Sequence, residues 1–169
     1  MVQTSSQLFR TTLIATAFVF GASGAIADPY VGIQYKSLKG ERSTLDYSTN
    51  QVNALFGYEF LKSDGLSHSV EYAGPISSSN GQIGKYNVET TVFSVGYKLI
   101  YNGWYGRIAY AKLDRDDRDL ELTSDRALGM SLGYEFEIKP NVSLHLSYDI
   151  LRNSNLKLSG FSIGSVFRF

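Results

Sequence analysis

Leu128-Gly129-Met130-Ser131-Leu132-Gly133-Tyr134-Glu135-Phe136-Glu137-Ile138 places a large apolar side chain at every second position and Gly, Ser or Glu between them. Successive side chains of an extended strand point to opposite faces, so this period of two separates one apolar face from one small or acidic face. On a helix the same residues would be scattered around the axis. Lys139-Pro140-Asn141 then interrupts the pattern, and Val142, Leu144, Leu146, Tyr148 and Ile150 resume it against Ser143, His145, Ser147 and Asp149. Two antiparallel strands joined by a tight turn are the simplest consequence.

Working outward, Val52, Ala54, Phe56, Tyr58 and Phe60 alternate with Asn53, Leu55, Gly57 and Glu59. Phe161, Ile163, Phe167 and Phe169 alternate with Ser162, Gly164, Val166 and Arg168. Segments near 30–36, 66–73, 90–101 and 104–113 complete a set of eight strands. Most approach the ~9–11 residues that a tilted strand needs to cross a bilayer. The connections alternate in length. Residues 61–65, Asn102-Gly103 and 139–141 form short turns, whereas 37–50, 74–89 and 114–126 form long polar loops and 152–155 a shorter link. Asn-Gly between alternating segments is the strongest short hairpin signal. Short turns at one end and long loops at the other predict an all-β, eight-stranded antiparallel up-and-down transmembrane barrel, with both termini periplasmic. Loops outside the apolar band are expected to tolerate shortening, because loop closure depends weakly on length.

Composition narrows the function classes. The 169 residues carry 16 basic and 16 acidic groups, 43% hydrophobic residues and no Cys. Without Cys there is no disulfide framework, thiolate zinc site or cysteine nucleophile. A zero net charge argues against nucleic acid as a partner. Residues 1–27 contain Arg10 as their sole charge, an apolar run at 13–22 and the small-x-small sequence Ala25-Ile26-Ala27. They are expected to be a cleavable signal peptide. The run is too short for a spanning helix. Cleavage after Ala27 leaves residues 28–169 as the barrel domain, and no Cys follows to carry a lipoprotein anchor.

The aromatic residues, 12 Tyr, 10 Phe and 1 Trp, sort by position. The topology puts Tyr58, Phe60, Tyr101, Trp104, Tyr134, Phe136, Phe167 and Phe169 at the periplasmic end. Tyr35, Tyr72, Tyr110, Tyr148 and Phe161 fall at the opposite end. Two aromatic girdles around an aliphatic band are the mark of a membrane barrel. A soluble lipocalin-like barrel would turn the apolar face inward and leave the Gly- and Ser-rich face to coat its surface. That face is better suited to filling a narrow lumen.

The C-terminal stretch Ser162-Ile163-Gly164-Ser165-Val166-Phe167-Arg168-Phe169 resembles the outer-membrane assembly signal, with Ser162, Gly164, Phe167 and Phe169 at its defining positions. With the export segment and the eight strands, the chain resembles the small OmpA-like/OmpX-like outer-membrane β-barrel family, labelled in part as porins, of Gram-negative bacteria. The resemblance implies insertion by the barrel-assembly machinery and contact with outer-membrane lipid and lipopolysaccharide. Because the chain ends at Phe169, the separate peptidoglycan-binding domain of full-length OmpA proteins is expected to be absent.

The inward parity collects Lys36, Glu59, Glu71, Lys98, Arg107, Glu135, Glu137, Asp149 and Arg168. Charges enclosed by a membrane are costly unless paired, so an ion-pair network closing the lumen is expected. An ion pathway gated by partner exchange is the alternative, but eight strands leave room for little beyond side chains. His145-Leu146-Ser147 resembles the His-x-Ser pair of the lipid A deacylase PagL. A hydrolase needs His beside Ser, with a carboxylate orienting the His. Yet parity turns His145 into the lumen, away from any lipid ester. His68 instead falls on the lipid face, as an interfacial residue. Residues 114–119 alternate Asp with Arg but lack the Gly and distal Glu of a calcium loop. The expectation is therefore a monomeric, non-enzymatic cell-surface barrel with no cofactor and no metal. Its role is structural or carried by polar loops that meet an unnamed extracellular ligand. A narrow porin-like conducting barrel and a lipid A-modifying hydrolase are the alternatives.

Overall fold

A computed structural model describes residues 28–42, 45–76, 79–83, 86–117 and 120–169. The expected export segment and its cleavage point at Ala27 lie outside the described residues. The strands are β1 (Asp28–Arg42), β2 (Leu45–Ser63), β3 (Leu66–Pro75), β4 (Ser79–Ile83), β5 (Tyr86–Tyr101), β6 (Trp104–Asp117), β7 (Leu120–Lys139), β8 (Val142–Arg152) and β9 (Leu156–Arg168). All neighbours pair antiparallel, and β1 pairs with both β2 and β9, so the sheet closes on itself. Closure removes the unpaired edges that a hydrocarbon environment would punish.

Nine elements make eight wall positions because β3 and β4 share one. β2 pairs with β3 from Asn53↔Pro75 downward and with β4 at Tyr47↔Ile83, while β5 pairs with both. Pro75 ends β3, since it cannot donate to the ladder, and Ile76 N donates to Val52 O (2.9 Å) across the break.

Asp64-Gly65, Asn102-Gly103 and Pro140-Asn141 turn the chain at one end, here the lower end, where β1 begins and β9 finishes. Asn102 and Gly103 have φ of 48° and 85°. Two consecutive positive φ values match a type I′ turn, whose twist suits a hairpin.

At the upper end the structure corrects the expected long loops. β1 and β2 stay in register to Arg42↔Leu45, β6 and β7 stay paired to Asp117↔Leu120 with a register shift after Arg115, and β9 starts at Leu156. Much of 37–50, 74–89 and 114–126 is therefore wall, and the tips at 43–44, 77–78, 84–85 and 118–119 lie outside the described residues. The physical reason is a second apolar pattern hidden among the polar residues. Leu38, Tyr47, Val92, Ala111, Leu113, Ala127, Leu151, Leu156 and Leu158 all face inward and form one buried cluster. Burying that surface carries the ladder past the outer apolar band.

The exterior keeps the parity of the sequence. Ile33, Ile108, Leu132, Leu146 and Ile163 are exposed between two aromatic bands. At the lower band Tyr101, Trp104, Phe136, Phe167 and Phe169 are exposed, with Tyr58, Phe60 and Tyr134 half-buried among their neighbours. Trp104 packs edge-on against Tyr134 at 5.2 Å, its partner in register. At the upper band Tyr35, Tyr110, Tyr148 and Phe161 are exposed, and Tyr72 is half-buried.

Candidate functional site: a layered lumen

Inward-facing side chains fill the barrel in three layers. At the lower mouth, Arg168 joins two carboxylates: its Nε donates to Glu59 Oε2 (2.8 Å) and its Nη2 to Glu135 Oε1. Its Nη1 also donates to Ser143 Oγ (2.6 Å). Lys98 Nζ completes the chain at 2.8 Å from Glu135 Oε2 and lies 4.4 Å from the Tyr105 ring centroid. Lys62 at the rim contacts Asp28 and lies 3.7 Å from Glu59. Glu59, Lys62, Glu135, Ser143 and Arg168 line a cavity of about 460 Å³ that also takes in Glu137 and Pro140.

The middle layer is nearly solid. Arg107 Nε is 3.1 Å from Glu71 Oε1, and Arg107 Nη2 donates to Ser94 Oγ (2.9 Å). The Tyr30 hydroxyl donates to Glu71 Oε2 (3.1 Å). Lys36 Nζ reaches Asp149 Oδ1 at 3.4 Å, and Ser131 donates to the same carboxylate. Gln34 Nε2 donates to His145 Nε2 (3.2 Å) and to Ser162 Oγ (3.1 Å). The void among these residues is about 10 Å³, room for about one water. Such pairing is what lets charge persist inside a barrel, because each buried ion keeps a counter-charge or hydrogen-bond partner. Above lies the apolar cluster, with Leu38 and Leu158 fully buried.

Of the charges expected inside, Lys36, Glu59, Glu71, Lys98, Arg107, Glu135, Asp149 and Arg168 take part in ion pairs. Glu137 does not. It is exposed at the lower end and has no ion pair among the described residues. Its register partner Ser143 stands next to the irregularity that ends the β7–β8 ladder, where the wall no longer encloses it. Of the assembly-signal residues, Ser162 and Gly164 face the lumen, where Ser162 Oγ lies 2.6 Å from Ser147 Oγ and Gly164 packs on the His145 ring. Phe167 and Phe169 face outward and touch each other at 5.1 Å.

The hydrolase arrangement is not assembled. His145 Nε2 meets Gln34, whereas Ser147 Oγ meets Ser162 and, at 3.4 Å, Asp149. Both side chains are buried in the lumen. His68 lies on the outer face against Tyr97 and Phe60. Among the described residues no three His, Cys, Asp or Glu side chains are grouped to hold a metal, and Asp114 pairs with Lys112 at 2.8 Å.

Sequence parity missed participants whose types carry no charge signal, among them Tyr30, Gln34 and Tyr105. Each shares the inward parity of a charged neighbour on its own strand, respectively Lys36 for the first two and Arg107 for the third, and that signal could have found them.

A family model described as "Outer membrane protein beta-barrel domain" matches residues 11–169. Among solved structures, the chain is similar to Ail, the attachment invasion locus protein of Yersinia pestis, in complex with the heparin analogue sucrose octasulfate. The TM-score is 0.59 at 14% identity, covering 85% of this chain and 99% of that one. Neisserial surface protein A (NspA) is similar at a TM-score of 0.54 and 16% identity, covering 85% of this chain and 99% of that one. No curated protein matches the sequence.

Proposed function

The chain belongs to the outer membrane protein β-barrel family, and on that premise we propose that it is a closed, non-conducting barrel that serves the cell surface through its upper rim. Residues 1–27 direct export and are removed after Ala27. The lower end faces the periplasm with both termini, and the upper end faces outward. The barrel works as a monomer, delivered by the barrel-assembly machinery through the Phe167/Phe169 terminus and seated in phospholipid and lipopolysaccharide.

The observation that carries the closed lumen is the stacking of an apolar cluster on a paired ionic layer whose free space is about 10 Å³. An ion entering from the upper end would have to pass the buried leucines to reach the paired charges, at a desolvation cost of several kcal/mol or more. A surface role is supported by walls that rise beyond the upper aromatic band, and by the likeness in fold to Ail, the attachment invasion locus protein. Planar-bilayer recording tests the lumen: the purified barrel should give at most small, rare steps. Large, stable channels would remove the closed-lumen proposal in favour of a conducting barrel.

A further inference from the structure

The cavity of about 460 Å³ at the lower mouth is lined from both sides of the barrel. Asp64 stands in the turn that follows β2, and Glu137 lies near the lower end of β7. Among eight wall positions, three strands separate β2 from β7 in either direction. The two acids therefore reach the cavity from opposite sides.

Four carboxylates line it, Glu59, Asp64, Glu135 and Glu137, against two cations, Lys62 and Arg168, an excess of two negative charges. Asp28, held by Lys62, and Lys98, held by Glu135, lie just outside and leave that excess unchanged. Glu59 and Glu135 are engaged by Arg168. Asp64 and Glu137 have no ion pair among the described residues. The residual charge thus sits on two separate acids.

Ser67 points to a donor beside the first of them. It follows Asp64 by three residues, lines the cavity and is 7% exposed, with no hydrogen-bond partner among the described residues. A hydroxyl withdrawn from bulk water costs free energy that a seated N–H donor would recover. Leu66, Ile100 and Pro140 add apolar surface to the same cavity. One metal ion cannot serve both acids, since no three His, Cys, Asp or Glu side chains are grouped to hold one among the described residues. Two cationic ends joined by an apolar chain match this lining. The middle layer, with about 10 Å³ of free space, makes the cavity a dead end.

We propose that the lower mouth binds a linear aliphatic diamine. One ammonium donates to Ser67 Oγ and the Asp64 carboxylate, and the other to Glu137, with the methylenes against Ile100 and Pro140. Both amines are protonated at neutral pH, as lysine is, and charge-assisted bonds to carboxylates are the stronger kind. Binding to the purified barrel does not depend on which compartment the lower end faces.

The test is isothermal titration calorimetry of the refolded barrel in neutral detergent at low salt. The probes are putrescine and n-butylamine, which has the same carbon chain and one ammonium. Putrescine should bind about tenfold tighter or more, the value of one charge-assisted hydrogen bond. The Asp64→Asn/Glu137→Gln variant should lose that preference, and Asn accepts the φ of 43° at position 64, so the turn is kept. Ser67→Ala should weaken both amines about threefold. Asp114→Asn, at the upper end, should bind as the native barrel does. Heat-modified gel migration verifies that each variant is folded. Equal affinity for the two amines, no saturable binding, or a double variant that keeps the preference would overturn the proposal. So would an unaffected Ser67→Ala variant, or displacement of putrescine by magnesium beyond that by sodium at equal ionic strength, which would assign the acids to inorganic cations.

Discussion

Lys36 of β1 and Asp149 of β8 meet across the intervening strand β9, Nζ to Oδ1 at 3.4 Å, and the next inward residues on those two strands are Leu38 and Leu151. This lumen ion pair thus lies directly beneath the apolar cluster. Ser94 and Val92 on β5, and Ser162 and Leu158 on β9, repeat the same change from polar to apolar. The barrel is closed twice, by charge pairing in the middle and by aliphatic packing above.

Glu71 and Arg107 test the first closure. Arg107→Ala leaves a buried carboxylate without its counter-ion and should cost about 3–5 kcal/mol of stability in urea unfolding. The double variant Glu71→Gln/Arg107→Met removes both charges and should recover most of that loss. Because the apolar cluster stays in place, neither variant should conduct. A single variant as stable as the native barrel would mean that the pair contributes nothing to the fold.

Gly57 tests the packing that holds Tyr30 on Glu71. A Cβ at Gly57 would lie 2.2 Å from the Tyr30 ring, and the flanking strands pair at Tyr30↔Gly57. Gly57→Ala should displace the ring, break its bond to Glu71 and destabilise the barrel by about 1–3 kcal/mol. The additional Tyr30→Phe change should then add little. Unfolding midpoints of the two single variants and the double variant measure the coupling.

The β6–β7 tip tests how much of the upper wall is needed. Replacing residues 115–123 by Asn-Gly joins the register pair Asp114↔Ser124 through a two-residue turn. Residues Leu113 and Ala127 of the apolar cluster are kept. The shortened chain should still fold and migrate anomalously on unheated gels. Simple excision of 115–123 without a new turn should fold poorly, a change from the tolerance expected of a free loop.

Phe169 separates delivery from stability. It is 68% exposed on the outer face, and its N–H donates to Pro29 O at 3.1 Å. Deleting it should lower outer-membrane levels in cells several-fold, while refolding into detergent changes by no more than about 1 kcal/mol, as for most surface changes. Equal losses in both assays would assign Phe169 to stability alone.

Which side chains face lipid and which face the lumen was legible in the chain itself, because the period of two is a property of every extended strand and needs no partner. The hairpin turns at Asn102-Gly103 and Pro140-Asn141 were legible for the same local reason. Tertiary structure alone decided which acid meets which base. Glu59 finds Arg168 at a separation of 109 residues, and Gln34 finds His145 at 111. Such contacts depend on how β9 registers against β1 when the barrel closes. It also decided that Glu137 stays outside the network and that Leu38, Leu156 and Leu158, set among polar residues, belong to one core. Local periodicity names the face a side chain takes; only closure of the sheet brings the inner faces of all the strands together.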